Sequence, residues 1–193
     1  MHRHTRIGIT LVGILSVVLL IGCTSVGRTV FLNPEFTFGS VERVAIVPFE
    51  NLSGDPGVSD YASRVFMTEL LAKRAFDIIE PGEVSQYLAA NTVLKPSEQT
   101  VEQIIAMGRE LKVQALIIGT IGESTQYRSG GQSSHILSMN LRMVETETGS
   151  TVWSTAIITG GPGFFSRLFG VGERTRSDAV RLVVKKAINT LVR

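Results

Sequence analysis

Apolar and polar residues follow two different periods along this 193-residue chain. Short apolar runs rich in β-branched residues predict buried strands, at 43–49, 76–80 and 114–121. Apolar residues at helical spacing predict amphipathic helices between these strands, at 59–73, 81–88 and 100–111. The alternation of strands with helices is typical of an α/β domain.

The period changes after residue 122. Residues 137–143 alternate between apolar and polar side chains, which predicts a half-exposed antiparallel strand. Glu145–Gly149 predicts a hairpin turn into a further strand at 151–159. A C-terminal amphipathic helix capped at Thr175 follows, with an apolar face that ends at Leu191. The whole order predicts an α/β fold with a mixed β-sheet sandwiched by helices.

The N-terminus has the pattern of an export signal. Arg3 and Arg6 precede an apolar run at 7–20, which is shorter than the roughly 20 residues that a membrane-spanning helix needs. The run ends in Leu20-Ile-Gly-Cys23, which resembles a bacterial lipobox. We therefore predict a lipoprotein signal peptide at 1–22 and covalent diacylglycerol and N-acyl lipid on Cys23, and we expect no other cofactor. Two or three acyl chains anchor a protein stably, whereas one chain binds only marginally.

Residues 23–40 are predicted to be a lipidated tether before the folded domain at 41–193. Fully extended, the tether would reach about 55–60 Å. Its apolar residues are too numerous for a freely solvated linker, namely Phe31, Leu32, Phe36 and Phe38. We expect part of the tether to lie along the domain or along a neighbouring subunit.

The charge balance and the small number of cysteines and histidines limit the functions that the mature chain could have. Arg3 and Arg6 leave with the leader, which balances the 17 acidic residues against 17 of the 19 basic ones and removes the case for nucleic-acid binding. His135 is the one histidine that remains beside the acylated cysteine, which excludes Cys/His zinc sites and Cys–His catalysis. We expect His135 to be a surface or hydrogen-bonded residue, and Glu50 and Asp55 to lack the partners of an acid–base pair. The prediction is no enzyme, no catalytic residue and no metal.

Three segments carry a family resemblance: Val44–Pro56, Leu111–Ile121 and Asn140–Gly149. Together they resemble the domain shared by CsgG-type curli secretion lipoproteins, the N-terminal domain of TolB and LpoB-type lipoproteins that activate penicillin-binding proteins. The resemblance covers roughly 41–192 and describes a scaffold that serves several functions. It implies a lipoprotein of the bacterial envelope that binds an envelope protein, copies of itself, or both. Thr24 after the lipidated cysteine favours the outer membrane, with the domain facing the periplasm.

One departure from the CsgG pattern bears on function. Residues 124–134 are predicted to be a short polar loop, whereas each strand of a membrane-spanning hairpin needs about 9–11 residues with outward apolar positions. The main hypothesis is therefore a CsgG-like accessory of envelope assembly or secretion without a full pore barrel. The alternatives are an LpoB-like regulator of peptidoglycan synthases, or a periplasmic module that binds a small molecule or sugar polymer at the strand ends.

One further segment, Gly160–Gly172, has a composition that calls for a binding explanation. It holds an apolar cluster between glycines, consisting of Phe164, Phe165, Leu168 and Phe169. The cluster is predicted to contact a membrane surface or a partner groove, because aromatic side chains bury large areas at low entropic cost. The alternative is a lid over the sheet edge or the terminal helix.

Overall fold

A computed structural model describes residues 27–129, 132–159 and 174–192 of the chain. The strands are β1 (Arg28–Leu32), β2 (Arg43–Ile46), β3 (Glu50–Asn51), β4 (Asp77–Ile78), β5 (Ala115–Ser129), β6 (Gln132–Glu145) and β7 (Thr151–Ile158). The helices are α1 (Val58–Lys73), α2 (Pro81–Ala90), α3 (Val101–Leu111) and α4 (Arg176–Leu191). Short 3-10 turns occur at Phe38–Ser40 and Pro96–Glu98.

The strands form one mixed sheet in the order β1-β7-β6-β5-β2-β4, with β3 paired to β5 beyond the end of β2. β2 runs parallel to β4 and β5, and β3 runs parallel to β5. The pairs β5–β6, β6–β7 and β7–β1 are antiparallel. The predicted mixed sheet is confirmed: its parallel part consists of β2, β3, β4 and β5, and its antiparallel part of β5, β6, β7 and β1.

The helices begin where the local chemistry predicts. Thr100 accepts a hydrogen bond from the backbone of Gln103, whose side chain accepts one from Thr100, so a complete capping box opens α3. Thr175 and Asp178 make the same reciprocal pair at the start of α4. Pro81 occupies the first turn of α2, where its missing N–H costs nothing.

Helices cover both faces of the sheet. α1 and α4 pack over the apolar side of β5, β6 and β7, where the predicted alternation holds: Leu137, Met139, Leu141 and Met143 are all buried. Trp153 is also fully buried there, and its Nε1 donates to Thr190 Oγ1 at 3.1 Å. α2 and α3 cover the opposite face at β2 and β5 through a second apolar cluster.

α3 lies very close to the turn between β6 and β7. A Cβ added to Gly108 would lie 2.2 Å from the Cβ of Thr146, so only glycine fits there without movement. Thr146 is held in place because its Oγ1 donates to Val113 O at 2.6 Å and its backbone N donates to Gln114 O at 2.9 Å. The contact joins α3 to the hairpin.

The segment that the sequence assigned to the tether supplies β1. All five residues of β1, Arg28 to Leu32, pair with β7. In addition, Ile158 N donates to Gly27 O at 3.1 Å. Val30, Leu32, Phe36 and Phe38 pack against the core from this segment. Residues 27–32 therefore belong to the sheet, and the folded part of the chain begins before Val41.

The prediction of a polar loop at 124–134 is wrong. β5 and β6 stay paired from Ser124↔Leu137 to Ser129↔Gln132, so only residues 130 and 131 separate the two strands. We call the paired segments 124–129 and 132–137 the ribbon. Most of its residues are polar, and the pairing of the two backbones holds them in β conformation.

Candidate functional site

The first component of the site is the turn that follows β3. Asn51 Oδ1 accepts hydrogen bonds from Ser53 N at 3.0 Å and Ser53 Oγ at 2.7 Å, and Asn51 Nδ2 donates to Asp55 O at 2.7 Å. Gly54 has a φ of 77°, a conformation that favours glycine. The turn is held by its own side chains, and it directs the carboxylate of Asp55 toward the ribbon.

A β-bulge brings the second component to the same place. The register of β5 against β6 shifts between Ile121 and Glu123, so one extra residue lies on β5. An extra residue reverses which face the following side chains occupy. Ser124, opposite the buried Leu137, therefore points to the side of the sheet that carries α4. Without the bulge, Ser124 would face away from Asp55.

Asp55, Ser124 and His135 form a continuous hydrogen-bonded chain. Ser124 Oγ donates to Asp55 Oδ2 at 2.6 Å, and His135 Nε2 lies 2.8 Å from the same Ser124 Oγ. His135 Nε2 is 4.0 Å from Asp55 Oδ2, beyond hydrogen-bond distance. The serine therefore stands between the acid and the histidine. The three residues come from the turn after β3, from β5 and from β6.

Arg176, at the start of α4, completes the group. Its Nη1 donates to Asp55 Oδ1 at 2.9 Å and to Pro56 O at 3.3 Å. The hydrogen bond from Ser124 is the largest of the effects that hold the pKa of Asp55 below its ordinary value; burial opposes it, and the charge and hydrogen bond of Arg176 add to the lowering. Asp55 is therefore ionised at neutral pH, and it ties α4 to the opposite side of the site.

The protons that Ser124 and His135 carry determine which of the two can donate to the other. The single hydroxyl proton of Ser124 goes to the ionised Asp55, so the hydrogen bond between Ser124 and His135 needs the proton of Nε2. His135 is then a donor to the serine and has no lone pair directed at it. A serine nucleophile requires the opposite arrangement, in which histidine accepts the hydroxyl proton. The group is built to hold four elements together.

Burial sets the protonation of His135. Its side chain is 12% exposed. Burial lowers its pKa, and the charge of Arg176 lowers it further, while the nearby carboxylate of Asp55 opposes both. The neutral imidazole is favoured, which agrees with its role as a single hydrogen-bond donor. The expectation of a hydrogen-bonded histidine is confirmed.

An open cavity of about 660 Å³ lies over this group. The residues that line it include Ser53, Asp55, Ser124, Gln126, His135 and Arg176. Hydroxyls, an amide and a guanidinium suit a polar ligand that offers both donors and acceptors. The place matches the strand ends named in the ligand-binding alternative.

Glu50 and Asp55, which the sequence did not favour as an acid–base pair, have separate partners. Glu50 accepts a hydrogen bond from Ser97, whereas Asp55 is bonded to Ser124 and Arg176. Neither Ser124 nor Arg176 was a candidate from the sequence. The run of serine, threonine and glutamine around Ser124 predicts a loop, and the bulge that orients its side chain leaves no signal in single-sequence patterns.

The predicted contact and lipid residues lie outside the described residues: Cys23, Phe164, Phe165, Leu168 and Phe169. Thr159 and Arg174, the two residues on either side of 160–173, are described. Thr159 N donates to Leu137 O at 2.8 Å, and His135 N donates to Arg174 O at 2.9 Å. The chain therefore leaves and re-enters the described part of the molecule beside β6, next to His135.

The described ranges contain neither a candidate metal site nor a candidate membrane-spanning helix. In 27–129, 132–159 and 174–192, no cluster of three or more His, Cys, Asp or Glu side chains is placed to hold a metal ion. None of the helices in the described part of the chain combines the length and the apolar character required to cross a membrane.

The fold is shared with bacterial proteins of known structure. No family model matches the chain, and no curated protein matches its sequence. The PelC dodecamer from Paraburkholderia phytofirmans superposes with a TM-score of 0.59 at 14% identity, covering 87% of this chain and 98% of that one. The lipoprotein GNA1162 from Neisseria meningitidis gives 0.54 at 16% identity, with coverages of 78% and 97%.

The C-terminal domain of LpoB from Salmonella enterica gives a TM-score of 0.50 at 13% identity, covering 67% of this chain and 88% of that domain. At such identities the likeness concerns the fold alone. None of these three structures is a CsgG-type channel, so the LpoB part of the expected resemblance is the part with structural support. The chain has an LpoB-like α/β fold with a seven-stranded sheet flanked by helices.

Proposed function

We propose that this chain is a lipoprotein of the bacterial envelope, held in the outer membrane through Cys23, whose domain works by binding other proteins in the periplasm. The observation that carries the proposal is the fold shared with the lipoprotein GNA1162, 97% of whose chain is covered. The lipobox that ends at Cys23 adds independent support from the sequence. Both features belong to proteins that are attached to a membrane and face an aqueous compartment.

The site chemistry favours binding over catalysis. His135 is a donor in the Asp55–Ser124–His135 chain, so it is not placed to remove the hydroxyl proton of Ser124 as a general base would. Among the ionisable groups at the site, Asp55 is paired with Arg176 at 2.9 Å. We accordingly propose no enzymatic activity, no catalytic residue and no cofactor apart from the covalent lipid.

Two kinds of protein partner follow from the shared fold. The PelC structure is a dodecamer, which favours an assembly of several copies of this chain. The LpoB likeness favours an envelope protein as partner, namely a peptidoglycan synthase whose activity this lipoprotein would regulate. We place the second ahead of the CsgG-like accessory role, because the LpoB domain is among the similar structures.

Labelling and extraction test the proposal. Cells that express the chain are fed radiolabelled palmitate, with Cys23→Ala as the control, and membranes are extracted in mild detergent for native mass measurement. We expect label on the wild-type chain only, and a particle heavier than one copy. A labelled chain that remains a monomer and captures no synthase would leave the ligand-binding alternative, which binding of muropeptides to the 660 Å³ cavity would test.

A further inference from the structure

The chain from the predicted anchor to the sheet is very short. Gly27 already belongs to the sheet, because its carbonyl accepts a hydrogen bond from Ile158 N at 3.1 Å. Consecutive Cα atoms are 3.80 Å apart, so the Cα of Cys23 lies within about 15 Å of the Cα of Gly27. This bound replaces the reach of about 55–60 Å predicted for the tether. A lipid on Cys23 would hold this end of the sheet against the membrane.

The ribbon extends from the same end of the sheet. β1 is antiparallel to β7, and β7 is antiparallel to β6, so the start of β1 lies beside the start of β6. Ile158 pairs with Ser138, which sets the level of Gly27 on β6. From Ser138 to Gln132, at about 3.4 Å per residue, β6 continues for about 20 Å. The ribbon therefore projects past Gly27 by more than the anchor can reach.

The exposed side chains of the ribbon suit a lipid headgroup layer. Tyr127 is 39% exposed and Arg128 is exposed beside it. Tyrosine is enriched at membrane–water interfaces, and arginine binds phosphate groups with charge-assisted hydrogen bonds. Residues 124–134 contain no Asp or Glu, and Arg128 is their one charged residue. Nothing acidic in this stretch would repel an anionic surface.

Further cations lie near the same end. Burial lowers the pKa of Lys186, and the positive charges of Arg174 and Arg28 each lower it further, so both arginines add positive charge near Lys186. Arg28 is the first residue of β1, and Arg174 bridges to Ser134 of the ribbon. The positive charge at the anchored end extends from the ribbon to the β1 edge.

We infer that the tip of the ribbon, with Tyr127 and Arg128, lies in the headgroup layer of the membrane that holds Cys23. The partner of this surface is an anionic phospholipid bilayer. The inference rests on the lipidation at Cys23 in the proposed function, and it adds a second contact that fixes how the domain stands on the membrane. With two separate contacts, the opposite end of the sheet, at the turn between β6 and β7, is held facing the periplasm.

The sequence offers a direct way to test this contact. Cys23 is the only cysteine, and lipidation consumes its thiol, so one introduced cysteine carries a fluorophore at a single place. Thr125→Cys places the probe on the ribbon, and Glu147→Cys places it in the turn at the far end of β6. Each lipidated, full-length mature protein is reconstituted into phosphatidylcholine–phosphatidylglycerol vesicles that contain a headgroup spin label as quencher.

We expect the probe at 125 to lose most of its fluorescence and the probe at 147 to keep it. Tyr127→Ser combined with Arg128→Glu should restore the fluorescence at 125. A flexible Gly/Ser insertion of about twelve residues after Val26 should restore it too, because the anchor would then no longer hold the ribbon near the bilayer. Fluorescence of the buried Trp153 during heating confirms that each variant is folded.

Equal quenching at both positions, or an unquenched probe at 125 on an acylated protein, would overturn the inference and leave the proposed function intact. The mass of the N-terminal peptide reports acylation independently. An unacylated Cys23 would overturn the proposed function together with this inference.

Discussion

Ser124 Oγ lies 2.6 Å from Asp55 Oδ2, across 69 positions of sequence. The bond joins the turn after β3 to the first residue of the ribbon. Through His135 and Arg176 the same bond also reaches β6 and the start of α4. One hydroxyl group therefore positions four elements at the end of the sheet from which the ribbon projects.

Ser124→Ala should destabilise the protein by about 1–3 kcal/mol, because the carboxylate of Asp55 and the imidazole of His135 each lose a buried partner. Urea unfolding measures the change. Thr125→Ala is the matched control, since Thr125 is exposed and its hydroxyl donates to the side chain of Glu123. Equal stability of the two variants would show that the chain of hydrogen bonds contributes nothing.

Stability should fall as pH drops below 6.5, the ordinary pKa of histidine. Burial and Arg176 lower the pKa of folded His135, so the unfolded chain binds the proton at a higher pH than the folded chain does. His135→Gln should remove this slope, since the mature chain has no other histidine. Unfolding midpoints across this pH range provide the measurement, and a slope unchanged in the variant would refute the assignment.

Stability should fall a second time below pH 3.8, the ordinary pKa of aspartate. The hydrogen bond from Ser124 and the charge of Arg176 keep the pKa of folded Asp55 under that value. Its stabilisation is therefore complete above pH 3.8 and disappears as the pH falls through the folded pKa. Asp55→Asn should flatten this part of the profile, whereas Asp60→Asn, at an exposed position of α1, should leave it as in the wild type.

Gly108→Ala should cost about 1–3 kcal/mol, because the added methyl group would lie 2.2 Å from the Cβ of Thr146. Gly82→Ala, in α2 with nothing within 4 Å of the added carbon, should instead stabilise the fold by about 0.4–1 kcal/mol. Thermal unfolding of the two variants should move in opposite directions. A stabilised Gly108→Ala would mean that the β6–β7 turn moves away at no cost.

Phe164→Ser with Phe165→Ser should leave the unfolding midpoint unchanged if this aromatic cluster binds a membrane or partner. Loss of vesicle or partner binding, measured by co-sedimentation, is the expected result. Phe66→Ser, at a fully buried position of α1, serves as the comparison that must unfold the domain. A large drop in midpoint for the first variant would assign these phenylalanines to the core.

Burial explains which parts of the fold were predictable from sequence. The strand at 137–143 alternates because one side faces α4 and the other does not. The capping boxes at Thr100 and Thr175 are local, so four consecutive residues suffice to predict them. In such places the physical cause lies within the same short segment as the pattern.

The elements that the sequence did not predict depend on pairing between distant parts of the chain. The apolar run at 30–32 gives no alternating pattern in the sequence, although Val30 and Leu32 pack against the core and Phe31 is exposed, and β7 is what makes β1 a strand. The ribbon has the composition of a loop and is extended because each strand supplies the other's hydrogen bonds. The site depends on a bulge, and its effect is to reverse the face on which Ser124 lies. The residues around Ser124 do not predict the bulge.

The pairing of β1 with β7 also bears on the order in which the chain would be anchored and folded. Thr155 Oγ1 donates to Thr29 O, 126 positions earlier in the chain. In the export and acylation that we propose, β1 would emerge and Cys23 would be acylated while β7 is still to come, so the first strand would have no partner. Closing so long a loop is entropically costly and comes late in folding. A newly exported chain would therefore be attached to its membrane before it is oriented there, and any product truncated before β7 would stay attached with its first strand unpaired.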